Sequence, residues 1–190
     1  MRNQLPPDTV ALNYGLNQVI GDNETGFRGT GDAAYRTEGW DFILAGGALY
    51  NNLDYSFTVG HEDGTFAYPS AQPGGGTAAL RKQLRILSKF LHGFDFLKMK
   101  PMPDVLRGDL PPKTRARVLA EPGKAYAVYI TGGTRTELEL DLPAGAFRAE
   151  WVNTKTGGVD KAEDLTHSGG AAVLSSPPYE EDVALRLVKK

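Results

Sequence analysis

The chain has 190 residues, with 23 Gly, 12 Pro and 41% apolar side chains. That excludes a low-complexity or disordered chain, and the length falls short of the roughly 200–250 residues that a closed eight-stranded α/β barrel needs. The 21 basic and 23 acidic residues spread evenly along the chain, so no basic stripe offers itself to nucleic acid.

No apolar run reaches the roughly 18–20 residues that span a bilayer. The first residues, Met1-Arg2-Asn3-Gln4-Leu5-Pro6-Pro7, lack the apolar core of a signal peptide. Without cysteine there is no disulfide framework, no thiolate nucleophile and no zinc–cysteine site.

In chain order, residues 18–23 form a short apolar run ending in polar residues. They suit a buried parallel strand. A Gly-rich loop follows, with Gly26, Gly29 and Gly31. Asp32 then stands where an N-cap belongs, ahead of a helix through about Leu44 that Gly46-Gly47 can end. Residues 48–53 read as a second strand, and a polar loop occupies roughly 54–76. The clearest helix runs from Thr77 to about Leu91. Leu80, Leu84, Leu87 and Leu91 share one face of it. Gly93 supplies a left-handed end residue, beside His92 as a C-terminal cap. Strand, helix, strand, helix implies parallel pairing with helices outside.

Composition changes near residue 100. The prolines at 101, 103, 111 and 112 favour extended backbone. Residues 98–113 therefore read as a linker or a crossing segment. Beyond it, seven short stretches alternate with period two: 114–120, 124–130, 135–141, 146–153, 158–163, 171–175 and 182–188. Turn residues separate them, as in Pro122-Gly123 and Gly169-Gly170. This is the pattern of an antiparallel β-sandwich, and its core should lean on Trp151, Phe147, Tyr126 and Tyr129. The expected fold is thus an α+β chain in two parts. Residues 1–100 form part of a (β/α) barrel, and residues 101–190 form a small β-sandwich.

The first candidate site is Asp22-Asn23-Glu24-Thr25-Gly26, where the first strand ends. The carboxyl ends of parallel strands carry the active sites of α/β sheets and barrels. A carboxylate there can act as nucleophile or general acid, and it can equally cap a helix or bind loop amides. The second is Tyr50-Asn51-Asn52-Leu53-Asp54-Tyr55, whose amides, carboxylate and rings suit sugar hydroxyls and sugar faces. His61-Glu62-Asp63-Gly64 reads as an ordinary turn. His61, His92 and His167 form no ligand-spaced pair, so no metal is expected. There is no Gly-x-Ser-x-Gly elbow, and Gly74-Gly75-Gly76 lacks the Gly-Lys-Ser/Thr of a phosphate loop. Trp40 and Trp151 read as core.

Three segments together resemble a known family. They are Asn23-Glu24-Thr25-Gly26-Phe27, Tyr35-Arg36-Thr37-Glu38-Gly39-Trp40, and Leu44-Ala45-Gly46-Gly47-Ala48 with Tyr50 to Phe57. They resemble the last two strand–helix units of the apiosidase-like, cellulase-related bacterial glycoside hydrolases, which are TIM barrels. Members often end in a β-sandwich labelled as collagen-binding. Ala149-Glu150-Trp151-Val152-Asn153-Thr154-Lys155-Thr156-Gly157-Gly158 and Pro177-Pro178-Tyr179 look like that module.

The resemblance implies that Glu24 ends the seventh barrel strand, the position of the nucleophile in retaining enzymes. Residues 48–53 would be the eighth strand, and Asn52, Asp54 and Tyr55 would shape a sugar subsite. The acid/base carboxylate would stand on the fourth strand, outside this chain, which is therefore expected to be inactive alone. The resemblance implies a carbohydrate substrate or glycan ligand, no cofactor, and a secreted or periplasmic parent. Two strands of an incomplete barrel would also expose apolar faces and favour self-association. The rival expectation is a non-catalytic module that holds a glycan or matrix protein, or that only packs.

Overall fold

A computed structural model of the chain describes residues 6–25, 27–67 and 76–190. The sequence readings that involve Gly26, Gly74 and Gly75 lie outside the described residues. The chain divides into two compact units, one ending at Leu87 and the other beginning at Ser88.

The first unit contains α1 (Pro6–Asn13), β1 (Gly21–Thr25), α2 (Asp32–Leu44), β2 (Leu49–Asn52) and most of α3 (Ala78–His92). β1 and β2 pair in parallel, with α2 as their crossover. The α2 bounds match the sequence expectation. β1 does not: it starts at Gly21, and Val19, expected inside a buried strand, is 81% exposed. A buried parallel strand needs cover on both faces, and among the described residues β1 has β2 as its single strand neighbour.

Tyr35, Trp40 and Leu44 of α2 are fully buried, so Trp40 belongs to the core as its spacing implies. Gly46, at φ 103°, ends the helix in the left-handed region. Asp32 does not cap α2. It is the first helical residue, and both of its carboxylate oxygens accept from the Thr77 hydroxyl at 2.8 Å. Thr77 in turn accepts from the Leu80 N–H at 2.9 Å and so caps α3. One hydroxyl thereby ties the starts of two helices together.

Leu80 and Leu87 of α3 are buried, and Lys82, Arg85 and Lys89 are exposed. The helix end corrects one expectation. Gly93 is not among the positive-φ glycines. The chain leaves α3 through the Phe94 N–H, which donates to the Leu91 carbonyl at 3.0 Å. His92 does serve the C-terminal turn, with its Nδ1 2.7 Å from the Ser88 carbonyl.

The second unit is all β after its first turns. The segment at 98–113 is a crossing piece: β3 (Lys100–Pro101) joins one sheet and β4 (Leu106–Arg107) the other. The seven predicted strands all occur. They are β5 (Arg115–Glu121), β6 (Ala125–Thr131), β7 (Glu137–Leu142), β8 (Gly145–Val152), β9 (Val159–His167), β10 (Gly170–Ser175) and β11 (Asp182–Lys189). They form a six-stranded sheet, β3-β5-β6-β11-β8-β9, and a three-stranded sheet, β10-β7-β4. Every pairing in both sheets is antiparallel.

Alternation explains the sandwich. In β7, Leu138, Leu140 and Leu142 are buried while Glu137 is exposed and Glu139 and Asp141 are only partly covered. These leucines share a core with Val128, Ile130, Phe147, Trp151, Val183, Leu185 and Leu187. Between β5 and β6, Pro122 and Gly123 fill the middle of a tight turn, with Gly123 at φ 76° and the Lys124 N–H donating to Glu121 at 3.0 Å. That is the chemistry of a type II turn.

Tyr126, Phe147 and Trp151 lie in this core as expected. Tyr129 is fully buried but stands on the opposite face of β6, because Val128 and Ile130 on either side of it face inward. Its hydroxyl donates to Asp182 Oδ2 at 3.0 Å. Trp151 is the largest side chain in the shared core and is fully buried. Trp151→Ala should cost about 3–5 kcal/mol. Urea unfolding checks this, and a loss below 1 kcal/mol, roughly the range of a surface change, would contradict the packing described.

Candidate functional site at the ends of the parallel strands

The two parallel strands bring Asp22 opposite Tyr50 and Thr25 opposite Asn52. The register slips between these pairs. β1 uses three residue steps where β2 uses two, so Asn23 and Glu24 occupy an irregular stretch. Such bulges re-aim side chains and are common beside active sites. Glu24 is exposed there. The Asn51 side-chain amide donates to the Asn23 carbonyl at 3.0 Å and holds the irregular stretch against β2.

Beneath it lies a polar cluster that links β1, β2 and α2. The Tyr50 hydroxyl is 3.0 Å from the Tyr35 carbonyl, 3.3 Å from Glu38 Oε2 and 3.2 Å from the Thr25 hydroxyl. Thr25 donates to Asn52 Oδ1 at 3.3 Å. Gly39 makes this approach possible. A Cβ there would stand 3.0 Å from the Tyr50 ring and 3.3 Å from Leu84. A glycine inside a helix costs about 1 kcal/mol relative to Ala, and here it admits the ring. Burial raises the Tyr50 pKa far above its ordinary value, and Glu38 and Asp22 nearby add to that. The phenol stays protonated and acts as a donor.

Asp22 is the strained member. Its Oδ2 is buried without a hydrogen-bond partner among the described residues. Burial raises its pKa, and the Glu38 carboxylate raises it further. Glu38, 9% exposed, has a loose ion pair with Arg28 at 3.7 Å. The loop after β1 is pinned by Tyr35, whose hydroxyl receives the Arg28 N–H at 3.0 Å and donates to the Gly29 carbonyl.

Asp54 lies elsewhere in its contacts. Arg81 of α3 pairs with it at 2.8 Å, and the Ser56 N–H and hydroxyl both donate to it. Arg81 also donates to the Ser56 hydroxyl at 2.9 Å and to the Gly64 carbonyl at 3.1 Å, with its guanidinium 4.9 Å from the Phe57 ring centre. Burial alone would raise the Asp54 pKa, but Ser56 and Arg81 together hold it below the usual carboxylate value. Gly76 closes the other side, because a Cβ there would fall 1.8 Å from Asp54 Oδ1. Tyr55 is 37% exposed. His61 and Asp63 bind Thr65 within one turn, in keeping with the ordinary turn read from sequence.

The structure therefore brings Asn52 to the end of β1 through Thr25, and commits Asp54 to Arg81. Glu38 and Arg81 were missed as site members by sequence reading. Their spacing from one another and from Tyr50 or Asp54 exists only after α2 and α3 have packed. Among the described residues no group of three or more His, Asp or Glu side chains could hold a metal ion.

The sequence matches no family model and no curated protein. Solved structures do match. A glycoside hydrolase covers 98% of this chain with 46% of its own, at 19% identity and a TM-score of 0.67. A glycoside hydrolase family 5 protein from Bacteroides vulgatus covers 97% with 45% of its own, at 16% identity and a TM-score of 0.68. A family 30 endoxylanase from Clostridium papyrosolvens covers all of it with 47% of its own, at 8% identity and a TM-score of 0.53. The chain has a glycoside hydrolase-related fold. It spans about half the length of these hydrolases.

Two outcomes test the cluster. Asp22 has a raised pKa in the folded state, so its contribution to stability is greatest below its unfolded pKa and is lost as pH rises through the folded one. Asp22→Asn should therefore raise the melting temperature at pH 7, and the gain should shrink towards pH 4. A variant less stable than the parent at pH 7 would contradict this. Asp54 has the opposite sign. Its ion pair contributes above the unfolded pKa and is lost as pH falls through the lower folded value. Arg81→Ala should cost roughly 1.5–3 kcal/mol at neutral pH. It should also open residues 54–64 to amide exchange, and unchanged exchange there would refute the clamp.

Proposed function

We propose that this chain forms the C-terminal part of a retaining glycoside hydrolase of the apiosidase-like, cellulase-related kind. The observation that carries the reading is the match of nearly the whole chain to part of three glycoside hydrolases. In this reading residues 1–100 contribute the last two strand–helix units of a TIM barrel, and residues 101–190 form an accessory sandwich. Glu24 is the nucleophile. Its place at the carboxyl end of a parallel strand, in an irregular stretch beside Asn52, supports that role.

Retention needs two carboxyl groups about 5–5.5 Å apart. The ionised nucleophile attacks the anomeric carbon while the other protonates the departing oxygen. The second group then takes a proton from the water that releases the sugar. One carboxylate cannot do both, so the proposal assigns the acid/base group to elements outside this chain. Asn52 and Tyr55 shape the sugar subsite. Asp54 belongs to the same subsite and, held by Arg81 and Ser56, keeps its loop in place.

The 190-residue chain alone should not turn over aryl glycosides. A fluorosugar with a fluoride leaving group needs no general acid, so it isolates the first step. Incubation with such gluco- and xylo-configured probes should add one glycosyl group at Glu24, read by intact mass and peptide mapping. Glu24→Gln should abolish the adduct. No adduct at Glu24, or an adduct on another carboxylate, would remove the assignment. Turnover of aryl glycosides that disappears in Glu24→Gln would keep the nucleophile and overturn the dependence on outside elements.

A further inference from the structure

Charge that is even along the sequence is uneven on the surface. Helix α3 contains Arg81, Lys82, Arg85, Lys89 and His92 and no acidic residue. Arg81 is committed to Asp54. The other four recur at intervals of three, four and three, which puts them on one face of the helix. All four are exposed. Among the described residues Lys82, Arg85 and Lys89 form no ion pair.

The face does not end with the helix. The His92 ring packs edge-on against Phe96, with ring centres 5.4 Å apart. Phe96–Lys98 is a single tight helical turn. It carries two apolar side chains outward, with Phe96 36% and Leu97 85% exposed. Met99 anchors the turn by its burial, while Lys98 and Lys100 on either side of it are exposed. An apolar knuckle thus stands among cations. Lys89, His92, the knuckle, Lys98 and Lys100 all belong to one compact unit, which begins at Ser88.

The nearby acidic groups leave this charge in excess. Asp95 pairs with Lys98 at 2.6 Å, and Glu121 pairs with Lys124 at 2.7 Å. Lys100, like Lys89, forms no ion pair among the described residues. A positive patch of this kind attracts anionic partners over a distance.

The combination selects the partner. Free lysines beside exposed Phe and Leu call for negative charge with an apolar layer behind it. A nucleic-acid strand or another soluble polyanion would meet the lysines and leave Leu97 in water. A folded protein would need a pocket matched to this turn and acidic groups around it. An anionic bilayer supplies headgroup phosphates for the lysines and an acyl boundary for the knuckle, and needs no matched shape. The lysine stems suit such a surface, since they keep the charge at headgroup level while their carbons lie deeper. Lying on a membrane needs no spanning segment.

We propose that this face docks on an anionic lipid bilayer, with Phe96 and Leu97 entering the headgroup layer and Lys89 and Lys100 on lipid phosphates. Arg85 and Lys82 extend the positive row along α3. Attachment of this size is reversible, because one apolar contact and a few cations fall short of a stable anchor. Nothing in it depends on Glu24.

The test is flotation of the whole chain with vesicles in a density gradient, which separates lipid binding from self-association. Vesicles of phosphatidylcholine alone are compared with vesicles of phosphatidylcholine and phosphatidylglycerol in equal parts. The chain should float with the anionic vesicles and not with the neutral ones. Raising the salt from about 0.1 M to about 1 M shortens the screening length from about 10 Å to about 3 Å and should weaken binding about tenfold or more. Lys89→Gln combined with Lys100→Gln should weaken it about 20-fold or more, at about fivefold for each cation near the surface. Leu97→Ser should weaken it about fivefold or more. These side chains are exposed, so the variants keep the fold, and circular dichroism with thermal melting verifies that. No flotation with anionic vesicles overturns the proposal. So does equal flotation with neutral vesicles, or unchanged binding in either variant. A single-stranded oligonucleotide that binds more tightly than the anionic vesicles would assign the face to a polyanion strand and overturn it too. The fluorosugar result at Glu24 stands or falls separately.

Discussion

The first unit depends on one hydroxyl. Tyr50 reaches from β2 over the bare backbone of Gly39 to Glu38, the Tyr35 carbonyl and Thr25. It joins the second strand, the crossover helix and the end of the first strand in one place. A parallel pair has no hairpin to set its register, so such side-chain ties decide where the strands stop sliding. The irregular step at Asn23 and Glu24 sits directly above this tie. The position of the candidate nucleophile is therefore set by residues that take no part in its chemistry. The orphaned Asp22 oxygen is a cost of the same arrangement, since a second carboxylate shares the cluster with Glu38.

The sandwich was legible because its signal is local. Leucines alternating with acidic residues state both the strand and its buried face, and Gly and Pro mark the turns. All seven strands follow from that. The face of Tyr129 could have been read from the same alternation, because Val128 and Ile130 point the other way. Helix α2 was legible to its ends, whereas the role of Asp32 was not. An Asp before a helix has two uses, and the nearness of Thr77, 45 residues on, decided between them. Val19 misled because an apolar run reports a preference for burial, while burial needs a neighbour that β1 does not have among the described residues.

The candidate site was half legible. The segments at 22–26 and 50–55 contain most of the polar groups at the strand ends. What spacing could not show is how those groups divide. Asn52 turns to Thr25, while Asp54 turns to Arg81 on a different helix. The clamp on Asp54 needs a glycine at 76 for a steric reason that no pattern of hydrophobicity contains. The glycoside hydrolase-related fold seen in the comparisons agrees with the family resemblance at its coarsest level.

The crossing segment of β3 and β4 bears on the way the sandwich meets other molecules. Each of these strands is two residues long, and each forms the outer edge of its sheet. Edges that short offer almost no ladder for a stray strand to join. The far edge of the larger sheet, β9, carries Asp160, Lys161, Glu163 and Asp164, which resist pairing by charge. The remaining edge is β10, six residues with Val173 61% exposed. Of these borders β10 alone is guarded by neither brevity nor a run of charge, and strand addition meets least resistance there.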